Sequence, residues 1–355
     1  MPLAMTKFSK SFCGTLVLLG STFLPLSAAD NPLSKADMKS TFRYPLKQDG
    51  ADPWMTYYKG WYYLTTTSAI DIKMRRARRI GELKDAPDKV IWKDETPGRQ
   101  KDIWATEFFL LDGGNGPRWY GYYTAADGIE PNHRMYVIES AGDDPMGPYT
   151  FKAQVQTDPK NEFYAIDGTI LQLPNGNLYF IWCGRPSAAG QGIYISRMTN
   201  PWTTTGPRVY LETSGFGCEH VREGPITLVK NGKVFLVYSA CDASTPDYKL
   251  GWLSADIGSD LLNPASWTQN PRPVFARVDQ WGVFGPGHNF FFKSPDGKED
   301  WIVYHAKLGT NRTFADRVTR AQPFTWNTDD TPNFGLPLPP DADIPVPSGE
   351  APPER

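Results

Sequence analysis

Short runs in which apolar and polar side chains alternate recur along the chain, each pair joined by a tight turn. In DGTILQLPNGNLYFIW, residues 167 to 182, two such runs flank Pro174-Asn175-Gly176. Period-two alternation about an Asn-Gly turn predicts a β-hairpin with a buried face. The form returns in DPWMTYYKGWYYLTTT (52 to 67), EFFLLDGGNGPRWYGYYTA (107 to 125), GPITLVKNGKVFLVYSA (224 to 240) and HNFFFKSPDGKEDWIVYHA (288 to 306). Their turns fall at Lys59-Gly60, Asn115-Gly116, Asn231-Gly232 and Asp296-Gly297.

Each hairpin opens on a polar residue: Asp52, Glu107, Asp167, Glu223 and His288. Four of these sit nine residues ahead of the turn glycine, and Asp52 sits eight ahead of Gly60. Successive openers are 55, 60, 56 and 65 residues apart. That length holds four antiparallel strands with their turns, which is one propeller blade. Five repeats predict an all-β, five-bladed β-propeller. The 32 Gly and 32 Pro scattered along the chain leave little room for long helices. In a propeller the first strand of each blade lines the axis, so the five openers, four acids and a histidine, meet in one funnel.

A carboxylate at the mouth of a core strand costs free energy unless it is hydrogen-bonded, solvated or used. For Asp167 alone, an Asx-turn bond to the backbone explains the residue as well as a functional role does. Glutamate makes that local bond less readily, which favours function for Glu223. The shared register across five repeats weakens a purely local account, although a metal-binding or structural acidic funnel stays open.

Composition narrows the field. Aromatics form 14% of the 355 residues, including 12 Trp and 17 Tyr, which excludes disorder and favours sheet. A net charge of −2 gives no electrostatic footprint for nucleic acid or an anionic membrane. Lys7 and Lys10, the apolar run SFCGTLVLLGSTFLPL and Ser27-Ala28-Ala29 form a secretory signal, expected over residues 1–29 with cleavage near Ala28 or Ala29. The expected product is a secreted, extracellular monomer without a membrane anchor, its catalytic domain spanning residues 30–337. Residues 338–355 read as a Pro-rich tail, partly packed at first and then loose. Cys183, Cys218 and Cys241 remain after the leader; one disulfide and one buried thiol are expected. Cys218–Cys241 is a candidate pair whose meeting the sequence does not establish. Asn311-Arg312-Thr313 is an N-glycosylation acceptor if the host is eukaryotic.

Acids at a pocket mouth, rich aromatics and export point to sugar chemistry. A glycosidase needs one carboxylic acid and one carboxylate, whereas a lectin-like propeller needs neither as a pair. Residue chemistry alone leaves both open.

GADPWMTYYKGWYYLTTT, IWATEFF, AIDGTILQLPNGNLYFIW, REGPITLVKNGKVFLVYS and FGPGHNFFF resemble, in order, the blade signatures of family 43 glycoside hydrolases. The resemblance covers roughly residues 40 to 337. YSACDASTPDYKLGWLSAD, LLNPASWTQNPRPVF and RAQPFTWNTDDTPNFG are similar to its secreted α-L-arabinofuranosidases, some of them exo-acting on 1,5-linked arabinan. The resemblance implies a five-bladed propeller that inverts anomeric configuration and acts on plant cell-wall arabinan or arabinoxylan. β-Xylosidase, endo-arabinanase and a non-catalytic carbohydrate-binding propeller are the competing readings. Carried onto this chain, Asp52 is the general base, Glu223 the general acid, and Asp167 the acid that tunes and orients it. Like-charge repulsion from Asp167 is expected to raise the Glu223 pKa. His288 matches an axial histidine that implies a calcium or sodium ion in the channel; no organic cofactor is implied. Arg317 fits the family's arginine against the sugar, with Arg320 as the near alternative. Trp54, Trp104 and Glu107 are expected to touch substrate, the indoles by stacking. Thr106 departs from the Trp-Ala-Pro common in relatives. His133, His220 and His305 are left as structural or rim residues, and Phe216, Cys218, Glu219 and His220 as a rim ahead of Glu223.

Overall fold

The computed structural model describes residues 40–352 except 188, 189 and 219. The expected leader, with Cys13, and the rim position 219 therefore lie outside the described residues. Among those described, the chain is nearly all sheet, and its helices are short 3-10 turns. Five four-stranded antiparallel sheets follow one another in sequence, each built from consecutive strands. Blade I holds Trp54–Tyr58, Trp61–Thr67, Ile72–Ala77 and Lys89–Trp92. The inner strands of blades II to V are Lys101–Asp112, Ala165–Gln172, Arg222–Lys230 and Phe284–Lys293. Each inner strand packs against the next, and the last against the first, which closes a five-bladed β-propeller.

The local reason for each hairpin is the turn chemistry read from the sequence. Lys59-Gly60 and Asn231-Gly232 close two-residue turns with positive φ at both positions, the backbone that matches strand twist. The other three turns are longer: Gln172 pairs with Leu178, Lys293 with Asp300 and Asp112 with Pro117. Turn glycines are therefore an uneven ruler.

The even ruler is a β-bulge. Between Ile166 and Thr169 the inner strand of blade III carries one residue more than its partner, and so do the stretches 104–107, 223–226 and 287–290. In blade I the Thr67 N–H reaches the Ala51 carbonyl while Trp54 pairs with Thr65, the same offset. The first bulge residue is Asp52, Ala105, Asp167, Gly224 or His288, with φ between 44° and 54° in every blade. Four of the five are not glycine, so the fold holds unfavourable left-handed backbone at one repeated level. Asp52, Asp167 and His288 share the register expected of them. Glu223 stands one residue before its bulge. Glu107 stands two after, level with Trp54.

A second repeat locks neighbouring blades. In four blades the bulge N–H donates to a side chain near the end of the preceding blade's second strand. Ala105 donates to Thr67 Oγ1 (2.8 Å), Asp167 to Thr124 Oγ1 (3.1 Å), His288 to Ser239 Oγ (2.8 Å) and Asp52 to His305 Nδ1 (3.2 Å). Blade III has Cys183 at that place, opposite Ile166. There the Gly224 N–H goes to Asp167 Oδ2 instead, at 3.1 Å.

The ends of the propeller chain meet. Thr41–Phe42 pair with Ile344–Pro345, and the Val346 N–H donates to the Ser40 carbonyl. Its composition suggests a tail that soon comes loose, but the tail is held as far as Glu350, and residues 353–355 lie outside the described residues. Ser348 Oγ donates to Asp296 Oδ1 (2.6 Å), and Glu350 accepts the Ile80 N–H (2.8 Å). Leu338, Ala342 and Val346 supply the apolar contacts that hold it. Cys218 and Cys241 form a disulfide, and Cys183 is a buried free thiol.

Candidate active site

A cavity of about 730 Å³ opens over the bulge level, with Asp52, Asp167, Glu223, His288 and Arg317 among its lining residues. Trp104 and His220 stand on its wall. The three acids, far apart in sequence, thus face one hollow because three inner strands deliver them to one end of the ring.

The Asp52 carboxylate is held by Arg317 and Thr67, with two imidazoles close by. Arg317 Nη1 donates to Oδ1 at 2.9 Å, and Thr67 Oγ1 donates to Oδ2 at 2.8 Å. The Nδ1 atoms of His288 and His305 lie 3.3 and 3.4 Å from Oδ1. Burial alone would raise the Asp52 pKa; the Arg317 charge outweighs it and holds the carboxyl well below its usual range. Asp52 is ionised. Burial pushes His305 down to about 4, so it is neutral and its Nδ1 is free to accept the Asp52 N–H.

Glu223 has the opposite setting. Burial, helped by the Asp52 charge, raises its pKa to about 7 against the pull of a hydrogen bond from Tyr248. Tyr248 Oη donates to Oε1 at 2.8 Å, and Gln191 Nε2 approaches Oε2 at 3.4 Å. Asp167 is raised well above its usual range, first by burial and then by the charges of Glu223 and Asp52. Repulsion between Asp167 and Glu223 was expected to set the Glu223 value. In the structure burial leads for both, and the two adjacent carboxyls retain a proton between them where Asp52 has none.

Trp104 stacks on His133 with ring centroids 4.3 Å apart. His133 meets Tyr164, and Arg185 lies over the Tyr164 ring at 4.3 Å. Arg185 donates to Gln191 Oε1 and to Glu130 Oε1, each at 2.8 Å. This wall runs from blade II to the carboxyl of Glu223.

Two expected sugar contacts are not at the cavity. Trp54 is 1% exposed, donates its indole N–H to the Phe108 carbonyl and packs against Phe108, Trp119 and Phe290. Glu107 is buried, and its Oε2 has no hydrogen-bond partner. Both lie two residues past the bulge. Two residues of strand advance about 6.6 Å, which puts them a layer beneath the floor. Arg320, the alternative to Arg317, is buried and reaches the Leu338 carbonyl at 3.5 Å, away from the acids.

His288 does face the axis. Among the described residues, however, no group of three His, Cys, Asp or Glu side chains is placed to hold a metal ion. Calcium takes six to eight oxygen ligands, and beside the His288 imidazole stands only the Asp52 carboxylate, whose oxygens already accept from Arg317 and Thr67. The donor set does not fit a protein-caged ion, and no chemistry is derived through one.

Thr67, Gln191 and Tyr248 were not singled out in the sequence, and His305 was left as a structural or rim residue. Their one local signal is position: Thr67 and His305 end the return strands of two hairpins, the place that reaches the next blade's bulge.

A propeller whose axis presents an ionised carboxylate opposite a proton-bearing carboxyl defines a carbohydrate-cleaving class of protein. The sequence profile described as Glycosyl hydrolases family 43 matches residues 42–332. The chain belongs to this family and is a glycoside hydrolase. It is 37% identical, over 344 residues, to an extracellular exo-α-(1→5)-L-arabinofuranosidase of Streptomyces avermitilis, covering 91% of this chain and 69% of that one. A protein of the same description from Streptomyces chartreusis is 35% identical, with 79% and 87% covered. The solved α-L-arabinofuranosidase of Lactobacillus brevis superposes with a TM-score of 0.77 at 35% identity, covering 85% of this chain and 98% of its own. Among the described residues no helix is long and apolar enough to cross a membrane.

Proposed function

We propose that this chain is a secreted α-L-arabinofuranosidase that removes terminal arabinofuranosyl residues from arabinan or arabinoxylan, exo-acting on α-1,5-linkages, with inversion. The observation that carries the reading is the unequal pair: Asp52 kept ionised by Arg317, and Glu223 kept protonated by burial, both lining one cavity. Asp52 takes a proton from a water as that water attacks the anomeric carbon. The bond from that carbon to the leaving oxygen breaks, and Glu223 gives the oxygen its proton. Asp167 holds the strand of Glu223 through the Gly224 amide. The names of the relatives support the sugar and linkage, and the leader-like N-terminus supports export.

Glu223→Gln keeps the shape and removes the proton. It is expected to cut release of arabinose from 1,5-arabinobiose by roughly 10²–10⁴-fold. Undiminished activity overturns the acid's assignment. Proton NMR of the first product reads the stereochemistry: β-arabinofuranose appears first if water attacks directly, and initial α-arabinofuranose contradicts inversion. Parallel digestion of arabinan, debranched arabinan, arabinoxylan and xylo-oligosaccharides checks the substrate, and xylose as the main product refutes it.

A further inference from the structure

Tyr248 is fully buried and touches both halves of the site. Its hydroxyl donates to Oε1 of Glu223 at 2.8 Å. Its ring lies parallel to His305, with 6° between planes and 5.4 Å between centroids. The Nδ1 of that imidazole accepts the backbone N–H of Asp52 at 3.2 Å. The ring is also wedged from below. A Cβ on Gly287 would stand 2.4 Å from Tyr248 Cδ1, so the glycine before His288 in GPGH is there to admit the phenol.

We propose that Tyr248 is a positioning residue. Its hydroxyl fixes which oxygen of Glu223 carries the proton, and its ring on His305 sets the acid's distance from Asp52. An oxygen that accepts the Tyr248 O–H has its in-plane lone pair engaged, which leaves Oε2 as the hydroxyl oxygen. Gln191 Nε2 is near Oε2 at 3.4 Å and equally near Cys183 Sγ at 3.4 Å. It is placed to turn toward the carboxylate once the proton has gone to the leaving group. The inference rests on Glu223 as the acid.

The test uses two variants of the full chain and two substrates. Tyr248→Phe removes the donor; 3-fluorotyrosine at 248 keeps the shape and strengthens the donor. On 1,5-arabinobiose, whose leaving oxygen needs a proton, Tyr248→Phe is expected to lower kcat about tenfold or more with little change in KM. On the 2,4-dinitrophenyl arabinofuranoside, which departs unprotonated, the loss stays within about threefold. A hydrogen bond to the ionised carboxylate favours that form, so its removal moves the alkaline limb of kcat/KM up, and 3-fluorotyrosine moves it down. Asp52, Arg317 and Asp242 also act on Glu223, and Glu223 in turn acts on Asp167, Tyr164 and Cys183; all are unchanged in both variants. Equal losses on the two substrates, or limbs that do not separate in opposite directions, overturn the inference. If Tyr248→Phe does not fold, the direction of the 3-fluorotyrosine limb decides alone. Glu223→Gln runs beside them: arabinobiose activity surviving in that variant sinks the acid assignment itself, whereas its loss without a Tyr248 effect sinks only the positioning role.

Discussion

The backbone N–H of Gly224 donates to Oδ2 of Asp167 across 3.1 Å, so the residue next to the proton donor is fastened to the acid of the preceding blade. In the four other blade junctions the equivalent amide goes to a threonine, a serine or a histidine. Cys183 stands where that acceptor belongs, and a thiol is a poor competitor for an amide.

Cys183→Ser puts a hydroxyl at this junction. It is expected to draw the Gly224 amide away from Asp167 and lower kcat on arabinobiose several-fold, with the thermal midpoint nearly kept. Cys183→Ala, which offers no acceptor, stays close to the parent. Equal activity in the two variants, measured side by side, refutes the competition.

Asp167→Asn separates charge from hydrogen bonding, because the amide oxygen still accepts from Gly224. Losing the negative neighbour eases ionisation of the shared pair. The alkaline limb moves to lower pH, and kcat falls roughly 10–100-fold. A pH–rate profile of the variant reads both effects, and an unmoved limb contradicts them.

The parent enzyme has its own pH signature. Activity is expected to fall as pH rises past about 7, where Glu223 gives up its proton. The acid limb lies below the ordinary carboxylate range, because Asp52 is depressed. Stability follows the same groups. The folded-state pKa of Glu223 is raised, so its contribution is whole below about pH 4, the unfolded value, and is lost as pH rises through the folded one. Glu223→Gln removes that loss. The variant's melting temperature, compared with the parent's, gains more at pH 8 than at pH 5; a constant gap counts against the raised value.

The hairpins were legible because alternation and turn residues act over a dozen residues. The five-fold count followed from their spacing alone. Asp52, Asp167 and His288 were legible as openers because each occupies the bulge itself. Glu107 was misplaced because turns of different length absorb different numbers of residues, and a count from the turn glycine slips by one or two. Trp54 was misplaced for the related reason that nearness in sequence to Asp52 hides a step of one layer along the strand. Tyr248 and Gln191 carried no signal of their own, and His305 only its place near the end of a return strand. They reach the acids only through pairing and ring closure, which join residues as far apart as Asp52 and His305.

The two tryptophans therefore respond differently. Trp54→Ala empties a packed layer and costs roughly 3–5 kcal/mol of stability, seen as an earlier denaturation midpoint. Trp104→Ala leaves the fold and raises KM for arabino-oligosaccharides about tenfold, the equivalent of one lost stacking contact. A shift in KM from Trp54→Ala in enzyme that is still folded goes against its placement.

Every blade is complete in itself, so the circle has a single seam, where blade V meets blade I. Stitching there comes from Leu46, Lys47 and Gly50 bonding to the backbone of Arg317 and Thr319, and from the short terminal clasp. Asp52 straddles the seam, its own backbone in the first blade and its ion pair and imidazole partners in the last. A molecule that parts along this line loses its water-activating group while all five sheets still stand, so warming silences the enzyme before it melts it.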